Sequence, residues 1–127
     1  MNENFSITNK TKSTLPRVPF AKIKDGVLGK KYNLSLVFIG EEKSKQLNFS
    51  YRGKNKPTNI LSYPLEKNIG EIFITPNVLK REMKKFGRNY ENFTAFLFIH
   101  GLLHLKGFDH GSTMERAEEV YRKKFRI

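Results

Sequence analysis

All three histidines of this 127-residue chain lie in one short segment, His100-Gly-Leu-Leu-His104-Leu-Lys-Gly-Phe-Asp-His110. Residues four apart on a helix lie about 6 Å apart along its axis and on nearly the same face, so His100 and His104 can reach one ion. Gly107 is a typical helix terminator, and the turn after it can bring His110 to the same ion from another direction. The spacing therefore predicts a metal site of three imidazoles.

Zinc suits such a ligand set, although imidazole sites also accept nickel and copper. Structural zinc sites usually have four protein ligands, often cysteines, whereas this chain has no cysteine and no fourth histidine. A carboxylate such as Asp109 is the nearby candidate for a fourth ligand. We therefore predict one Zn²⁺ held by His100, His104 and His110, with water in an open fourth position and with His104 essential for catalysis.

A metallopeptidase is an alternative, because the pattern H-x-x-x-H-x-x-G-x-x-H has the spacing found in metzincin peptidases. In those enzymes a glutamate directly follows the first histidine and acts as the general base, but here that position is Gly101. Glycine inside a helix costs about 1 kcal/mol relative to alanine. Gly101 is therefore expected either to permit close helix packing or to leave room for a substrate beside the metal.

The charge of the chain indicates a polyanionic partner. The 24 Lys and Arg residues against 12 Asp and Glu give a formal net charge of +12, which attracts nucleic acid first and anionic membrane surfaces second. The absence of cysteine excludes disulfide frameworks, iron–sulfur clusters and thiol catalysis. Residues 1–10 lack the pattern of a signal peptide, and the apolar stretch 93–105 is too short to span a membrane, so we expect a cytoplasmic protein.

The pattern of apolar residues predicts a single α+β domain over residues 1–127, a small mixed sheet of about four strands covered mainly on one face by about five helices. A turn between Glu66 and Gly70 would join two strands in a hairpin, and Pro64 weakens the first of them. Ser112 and Glu115 have the spacing of a capping box. The predicted strands are 5–7, 34–39, 59–65 and 71–75, and the predicted helices are 16–28, 41–50, 76–86, 89–106 and 112–124.

Three segments of the chain resemble the YbeY endoribonucleases, a family also called rRNA maturation factors. Residues 100–110 match the family pattern H-G-x-L-H-L-x-G-[YF]-D-H at every fixed position. Residues 47–64 resemble the pattern L-N-x-x-[YF]-R-x-x-x-x-[PA]-T-[DN]-V-L-S-F-P, from which Ile60 and Tyr63 are conservative departures. Gly70-Glu71-Ile72 stands where the family has Gly-Asp-Ile. The resemblance extends over about residues 34–124.

The resemblance implies a metal-dependent endoribonuclease that cleaves single-stranded RNA. It implies a role in maturing the 3′ end of 16S rRNA and in ribosome quality control, with the ribosome or its small subunit as partner. Carried onto the matching positions, it makes His100, His104 and His110 the metal ligands. It also makes Arg52 the functional arginine, which we expect to be catalytic and to hold a phosphate as negative charge develops.

Arg52, Lys54 and Lys56 are predicted to lie in one polar loop that binds the RNA backbone, although a charge run of this kind is often only a solvated surface. A non-catalytic module that binds RNA or the ribosome around a structural metal is the main alternative to the enzyme. The oligomeric state does not follow from the sequence.

Overall fold

A four-stranded mixed sheet and five α-helices form the computed structural model, which describes residues 4–127. The strand order is β1-β2-β4-β3, in which β1, β2 and β4 run parallel and β3 is antiparallel to β4. The expected α+β architecture is confirmed. The strands are β1 (Phe5–Asn9), β2 (Asn33–Phe38), β3 (Ile60–Glu66) and β4 (Ile69–Ile74); the helices are α1 (Phe20–Leu28), α2 (Glu41–Arg52), α3 (Pro76–Glu82), α4 (Tyr90–Leu105) and α5 (Ser112–Phe125), with a 3₁₀ turn at Met83–Phe86.

One face of the sheet carries the hydrophobic core. Successive side chains of a strand point to opposite faces, so Leu34, Leu36 and Phe38 of β2 lie on the same face, and all three are fully buried. Helices α1, α3, α4 and α5 add their apolar residues to this cluster. Helix α4 supplies the largest share and packs against α1, α5 and β3. The apolar stretch within residues 93–105 is therefore part of a buried helix, and the predicted helix at 89–106 is confirmed.

Helix α2 lies against the opposite face of the sheet, at the end of β3. The rings of Tyr51 and Tyr63 are 4.1 Å apart between centroids, and the Tyr63 hydroxyl donates to the Leu47 carbonyl at 3.4 Å. The residues that α2 buries are the polar Ser44 and Asn48. Within residues 4–127, α2 contributes nothing to the main apolar cluster, which agrees with the expectation that helices cover chiefly one face.

The predicted hairpin is present between β3 and β4. Asn68 in its turn has a φ of 69°, a conformation that asparagine tolerates better than most residues. The pairing becomes irregular between Pro64 and Glu66. Because proline has no N–H to donate, this irregularity falls where the sequence predicts a weak strand, and β3 is an edge strand.

One predicted helix start and one predicted helix cap are wrong. Helix α1 begins at Phe20 rather than at residue 16, because Pro19 disfavours the helical conformation in the residue before it. Helix α5 has no capping box, since Ser112 is already its first helical residue and Gly111 precedes it without a side-chain cap. The Glu115 N–H donates instead to the Gly111 carbonyl at 3.0 Å.

The segment between Pro76 and Gly87 differs from the single predicted helix. Helix α3 ends at Glu82 and the chain continues as a 3₁₀ turn, which Gly87 closes in the left-handed conformation with a φ of 61°. The predicted start at Pro76 and the predicted stop at Gly87 are both confirmed. Among the helices of residues 4–127, none combines the length and the apolar character needed to cross a bilayer.

Candidate metal centre

The end of helix α4 brings the three histidines together. The helix stops at Leu105, and Gly107 adopts a φ of 107°, which reverses the chain. The Phe108 N–H donates to the Leu103 carbonyl at 3.0 Å and holds this turn in place. The ring centroids of His104 and His110 then lie 4.8 Å apart, and those of His100 and His104 lie 4.6 Å apart. The predicted convergence of the three imidazoles is confirmed.

The hydrogen bonds of two rings determine which nitrogens face the centre. His104 Nδ1 lies 3.0 Å from the Phe108 carbonyl oxygen, and His100 Nδ1 lies 2.7 Å from a carboxylate oxygen of Glu118. Both oxygens can only accept, so in a neutral ring each Nδ1 carries the proton and donates it. Each Nε2 therefore carries a lone pair, and the two Nε2 atoms are only 3.1 Å apart.

This arrangement fits a divalent cation. Bonds of about 2.1 Å in a tetrahedral zinc site place two ligand nitrogens about 3.4 Å apart, and two facing lone pairs repel each other unless a positive charge lies between them. The candidate ligand atoms of His100, His104 and His110 all lie within 4.8 Å of one another. Within residues 4–127 this group contains no carboxylate, and Asp109 is an exposed residue that lines the same groove.

Burial lowers the pKa of His104 below its ordinary value of 6.5. The positive charges that His100, His110 and Arg52 can carry lower this pKa further, while the hydrogen bond to the Phe108 carbonyl acts in the opposite direction. The neutral imidazole is the form that binds a metal, so this environment keeps His104 in its ligand state.

Glu118 is a component of the site that the sequence patterns did not reveal. Its side chain is 12% exposed and that of His100 is 24% exposed, so their hydrogen bond is largely shielded from water. Helix α5 buries Met114 against the core, and Glu118 lies one turn further along. That spacing of four residues is the signal that could have indicated an inward-facing carboxylate. Such a partner orients a ligating histidine and fixes its tautomer.

A groove of about 890 Å³ contains the histidines, and two of the regions that line it carry its charged and aromatic side chains. The first, here called the α2 wall, consists of Tyr51, Arg52 and Lys54. The second, here called the α4–α5 wall, carries the histidines, with Glu118 and with the aromatic residues Phe86 and Phe96. Arg52 is close enough to His104 to lower its pKa. The groove therefore joins a potential metal site to positive charge and to aromatic surface.

The predicted basic loop is only partly a loop. Arg52 is the last residue of α2, which extends two residues beyond the predicted end at residue 50, and Gly53 ends the helix with a φ of 72°. Arg52 and Lys54 line the groove, whereas the exposed Lys56 does not. The Lys56 carbonyl instead accepts a hydrogen bond of 2.8 Å from Asn48.

Gly101 allows helix α4 to approach the sheet closely. A Cβ at this position would come within 2.8 Å of Ser62 Oγ and 2.9 Å of Ile60 Cδ1, both closer than normal contacts. Ser62 Oγ also donates to the Gly101 carbonyl at 3.2 Å. Of the two expectations for this glycine, the structure supports close packing.

The family model described as Endoribonuclease YbeY matches residues 2–127. The chain belongs to this family. It is 36% identical to the Endoribonuclease YbeY of Buchnera aphidicola over 123 residues, which cover 88% of this chain and 79% of the relative. The corresponding protein of Francisella philomiragia is 32% identical over 133 residues, covering 92% of this chain and 84% of the relative. The resemblance stated from the sequence is thereby confirmed.

Other YbeY relatives align over a smaller part of their length. The Bdellovibrio bacteriovorus protein is 36% identical over 90 residues, covering 69% of this chain and 60% of that protein.

A solution structure from Thermotoga maritima superposes with a TM-score of 0.64 at 23% identity, covering 96% of this chain and 91% of the other. This likeness supports the fold.

Proposed function

We propose that this YbeY family member acts as a single-domain, metal-dependent endoribonuclease on single-stranded RNA in the cytoplasm. Its proposed role is the maturation of the 3′ end of 16S rRNA and ribosome quality control, with the small subunit as partner. Family membership and the group of three histidines support this function. The net charge of +12 favours association with RNA.

The observation that carries the proposal is the pair of Nε2 atoms, 3.1 Å apart, that His100 and His104 direct at each other. The Glu118 carboxylate and the Phe108 carbonyl accept hydrogen bonds from the two Nδ1–H groups. The lone pairs on both Nε2 atoms are therefore free to bind a cation. Zinc is our proposed ion, because neutral imidazoles are ligands it prefers. His100, His104 and His110 are the proposed ligands.

When bound, a divalent cation supplies Lewis acidity to the phosphodiester and makes water a stronger nucleophile at neutral pH. In this proposal Glu118 and the Phe108 carbonyl keep the rings of His100 and His104 in the ligating tautomer. Arg52 holds a phosphate through its guanidinium group and stabilises the negative charge that develops during cleavage. Lys54 contacts the neighbouring backbone, and the exposed Lys56 adds only long-range attraction.

The test is digestion of a single-stranded RNA by the zinc-loaded protein, with and without a chelator. We expect cleavage that the chelator stops and added zinc restores. His104→Ala should lose cleavage almost completely while still binding RNA in a salt-dependent manner, because the removed ring serves the metal and not the RNA. Lys124→Gln, an exposed change on α5 outside the groove lining, is the control and should cleave normally.

Two results would contradict the proposal. Absence of cleavage by the zinc-loaded wild type, together with a large loss of melting temperature in His104→Ala, would identify a structural metal in an RNA-binding module. Cleavage of a peptide panel at rates that rival RNA cleavage would identify a peptidase.

A further inference from the structure

Two arginines, one from the loop before α4 and one from α5, pack on the same aromatic ring beside the metal groove. The Arg88 guanidinium carbon lies 4.3 Å from the Phe96 ring centroid, and that of Arg122 lies 5.5 Å from it. Arg88 precedes α4, Phe96 lies within α4 and Arg122 lies on α5. The fold thus brings two positive charges together on one ring.

This Arg88–Arg122 pair has no carboxylate partner within 4.0 Å among residues 4–127. Arg88 donates to the neutral side chain of Asn92, and the buried Arg122 Nε has no hydrogen-bond partner. Burial, and then the charge of Arg122, lower the pKa of Arg88. Two like charges held close together and partly desolvated are unfavourable, and a bound anion would relieve their repulsion.

The acidic residues near the pair do not already serve as that anion. Glu118 binds His100 at 2.7 Å, and Glu119 pairs with Lys123 at 3.2 Å. Glu115 and Arg116 also line this region and carry opposite charges. The region therefore offers two guanidinium groups for one specific contact, not a broad positive surface.

The pair lies in a second groove of about 530 Å³ that adjoins the metal groove and shares lining residues with it. Phe86, Phe96, Glu115 and Glu118 line both grooves. Phe86 is 53% exposed, and its ring stacks on that of Phe93 with centroids 4.9 Å apart. A chain molecule bound along the α4–α5 wall and extending into the second groove would meet an exposed aromatic ring and two guanidinium groups that lack a carboxylate partner.

We propose that Phe86 and the Arg88–Arg122 pair form a subsite for single-stranded RNA next to the cleavage position. The guanidinium groups bind a backbone phosphate, and Phe86 stacks on a base. An aromatic face beside a phosphate contact matches the alternation of base and phosphate in a single strand, whereas free phosphate would use the arginines alone. This inference rests on the proposed function and assigns an RNA contact on the side of the groove away from the α2 wall.

The experiment measures RNA binding by fluorescence anisotropy, with a chelator present so that the RNA stays intact. Two single-stranded RNAs are used, of 4 and 12 nucleotides. Arg122→Gln should weaken binding of the longer RNA about tenfold, because it removes a charge-assisted phosphate contact, and should change binding of the shorter RNA much less. The salt slope for the longer RNA should fall by about 0.7, the value for one phosphate in a single strand.

Lys124→Gln is the matched control, because it removes one charge from the same helix where Lys124 lies over Phe125 outside both grooves. Arg88→Gln is a second variant that protects the test against misfolding of Arg122→Gln, and melting temperatures check both. Phe86→Ala should also weaken binding of the longer RNA, and Phe86→Leu should do the same because it keeps apolar volume but loses stacking.

The subsite is disproved if Arg122→Gln and Lys124→Gln weaken binding equally, or if both RNAs lose affinity by the same factor. Equal binding of a polyglutamate peptide, with the same loss in Arg122→Gln, would identify an acidic protein as the ligand and overturn the RNA assignment. A wild type that binds RNA through this subsite but never cleaves it with zinc would refute the proposed function alone. Cleavage with an unaffected Arg122→Gln would refute the subsite alone.

Discussion

The two walls of the groove hold their functional groups in different ways. On the α4–α5 wall, His100 and His104 are partly buried, and Glu118 and the Phe108 carbonyl fix the rings. On the α2 wall, Arg52 and Lys54 are exposed at a helix end. A metal site requires atoms held at fixed distances, whereas a flexible polymer can be bound by mobile charges. The α4–α5 wall is therefore suited to hold the ion and the α2 wall to follow the substrate.

The helices beneath the two walls are also held in place by different kinds of contact. Helix α4 sits in the apolar core, and Gly101 lets it lie directly on the sheet. Helix α2 is instead tied to the loop that follows it by polar contacts, in which Ser44 Oγ accepts from the Thr58 N–H at 2.9 Å and donates to the Thr58 carbonyl at 3.0 Å. Changes on the two walls should consequently affect different measurements.

Among changes that leave the three histidines intact, the largest effect is expected from Arg52→Ala on the α2 wall. It should lower kcat for RNA cleavage by about 100-fold to 1000-fold, as loss of one transition-state donor commonly does. Steady-state kinetics and RNA affinity are measured together, and affinity should fall far less than kcat. Zinc affinity should stay unchanged, since Arg52 is not a ligand. An unchanged kcat would assign Arg52 to the solvated surface, and Lys54→Gln provides the comparison for simple charge loss.

Glu118→Ala on the α4–α5 wall should produce the opposite pattern. Zinc affinity, measured by competition with a chromophoric chelator, should fall about 10-fold to 100-fold because His100 loses the partner that orients it. Glu118→Gln should be intermediate, since an amide oxygen can still accept the proton on Nδ1. RNA affinity in the absence of metal should not fall, because the lost carboxylate is a negative charge beside the groove. Glu119→Gln, a change at the adjacent exposed residue, is the control, and equal zinc affinity in all variants would exclude a positioning role.

The packing of the α4–α5 wall can be tested at Gly101. Gly101→Ala should reduce the free energy of unfolding by about 1–3 kcal/mol, because the added methyl group overlaps Ser62 and Ile60. Urea denaturation of the metal-free protein measures this effect. Gly40→Ala adds a Cβ where no atom lies within 4 Å and should cost less. A Gly101→Ala variant of wild-type stability or better would contradict the close-packing assignment.

The smallest effect concerns pH. The folded protein lowers the pKa of His104, so below about pH 6.5 the unfolded chain takes up the proton more readily than the folded one. The free energy of unfolding of the metal-free protein should therefore fall as the pH decreases below about 6.5. Above that pH, the protonation of His104 should add no pH dependence to it. Urea denaturation at several pH values measures the slope. His104→Asn should flatten it, and an identical slope in the two proteins would refute the assignment.

The elements of the α4–α5 wall were more predictable from sequence than those of the α2 wall. Gly107 and the four-residue spacing of the histidines act within one helix and its end, and they predicted the convergence correctly. The end of α2 was placed two residues too early, at residue 50, although the glycine that ends the helix is Gly53. The false capping box at Ser112 arose because the same residue spacing also occurs one position inside a helix.

The sequence by itself determined the family, the order of strands and helices and the three-histidine group, because each depends on residues close together in the chain. Only the tertiary structure revealed that Glu118 supports His100, that Gly101 is needed for packing, and that Arg88 and Arg122 share the Phe96 ring. These contacts join separate elements, and they depend on how α4 and α5 pack against each other and how α4 packs on the sheet. Short-range patterns determine where a helix starts and stops, whereas burial of the apolar faces determines which side chains meet.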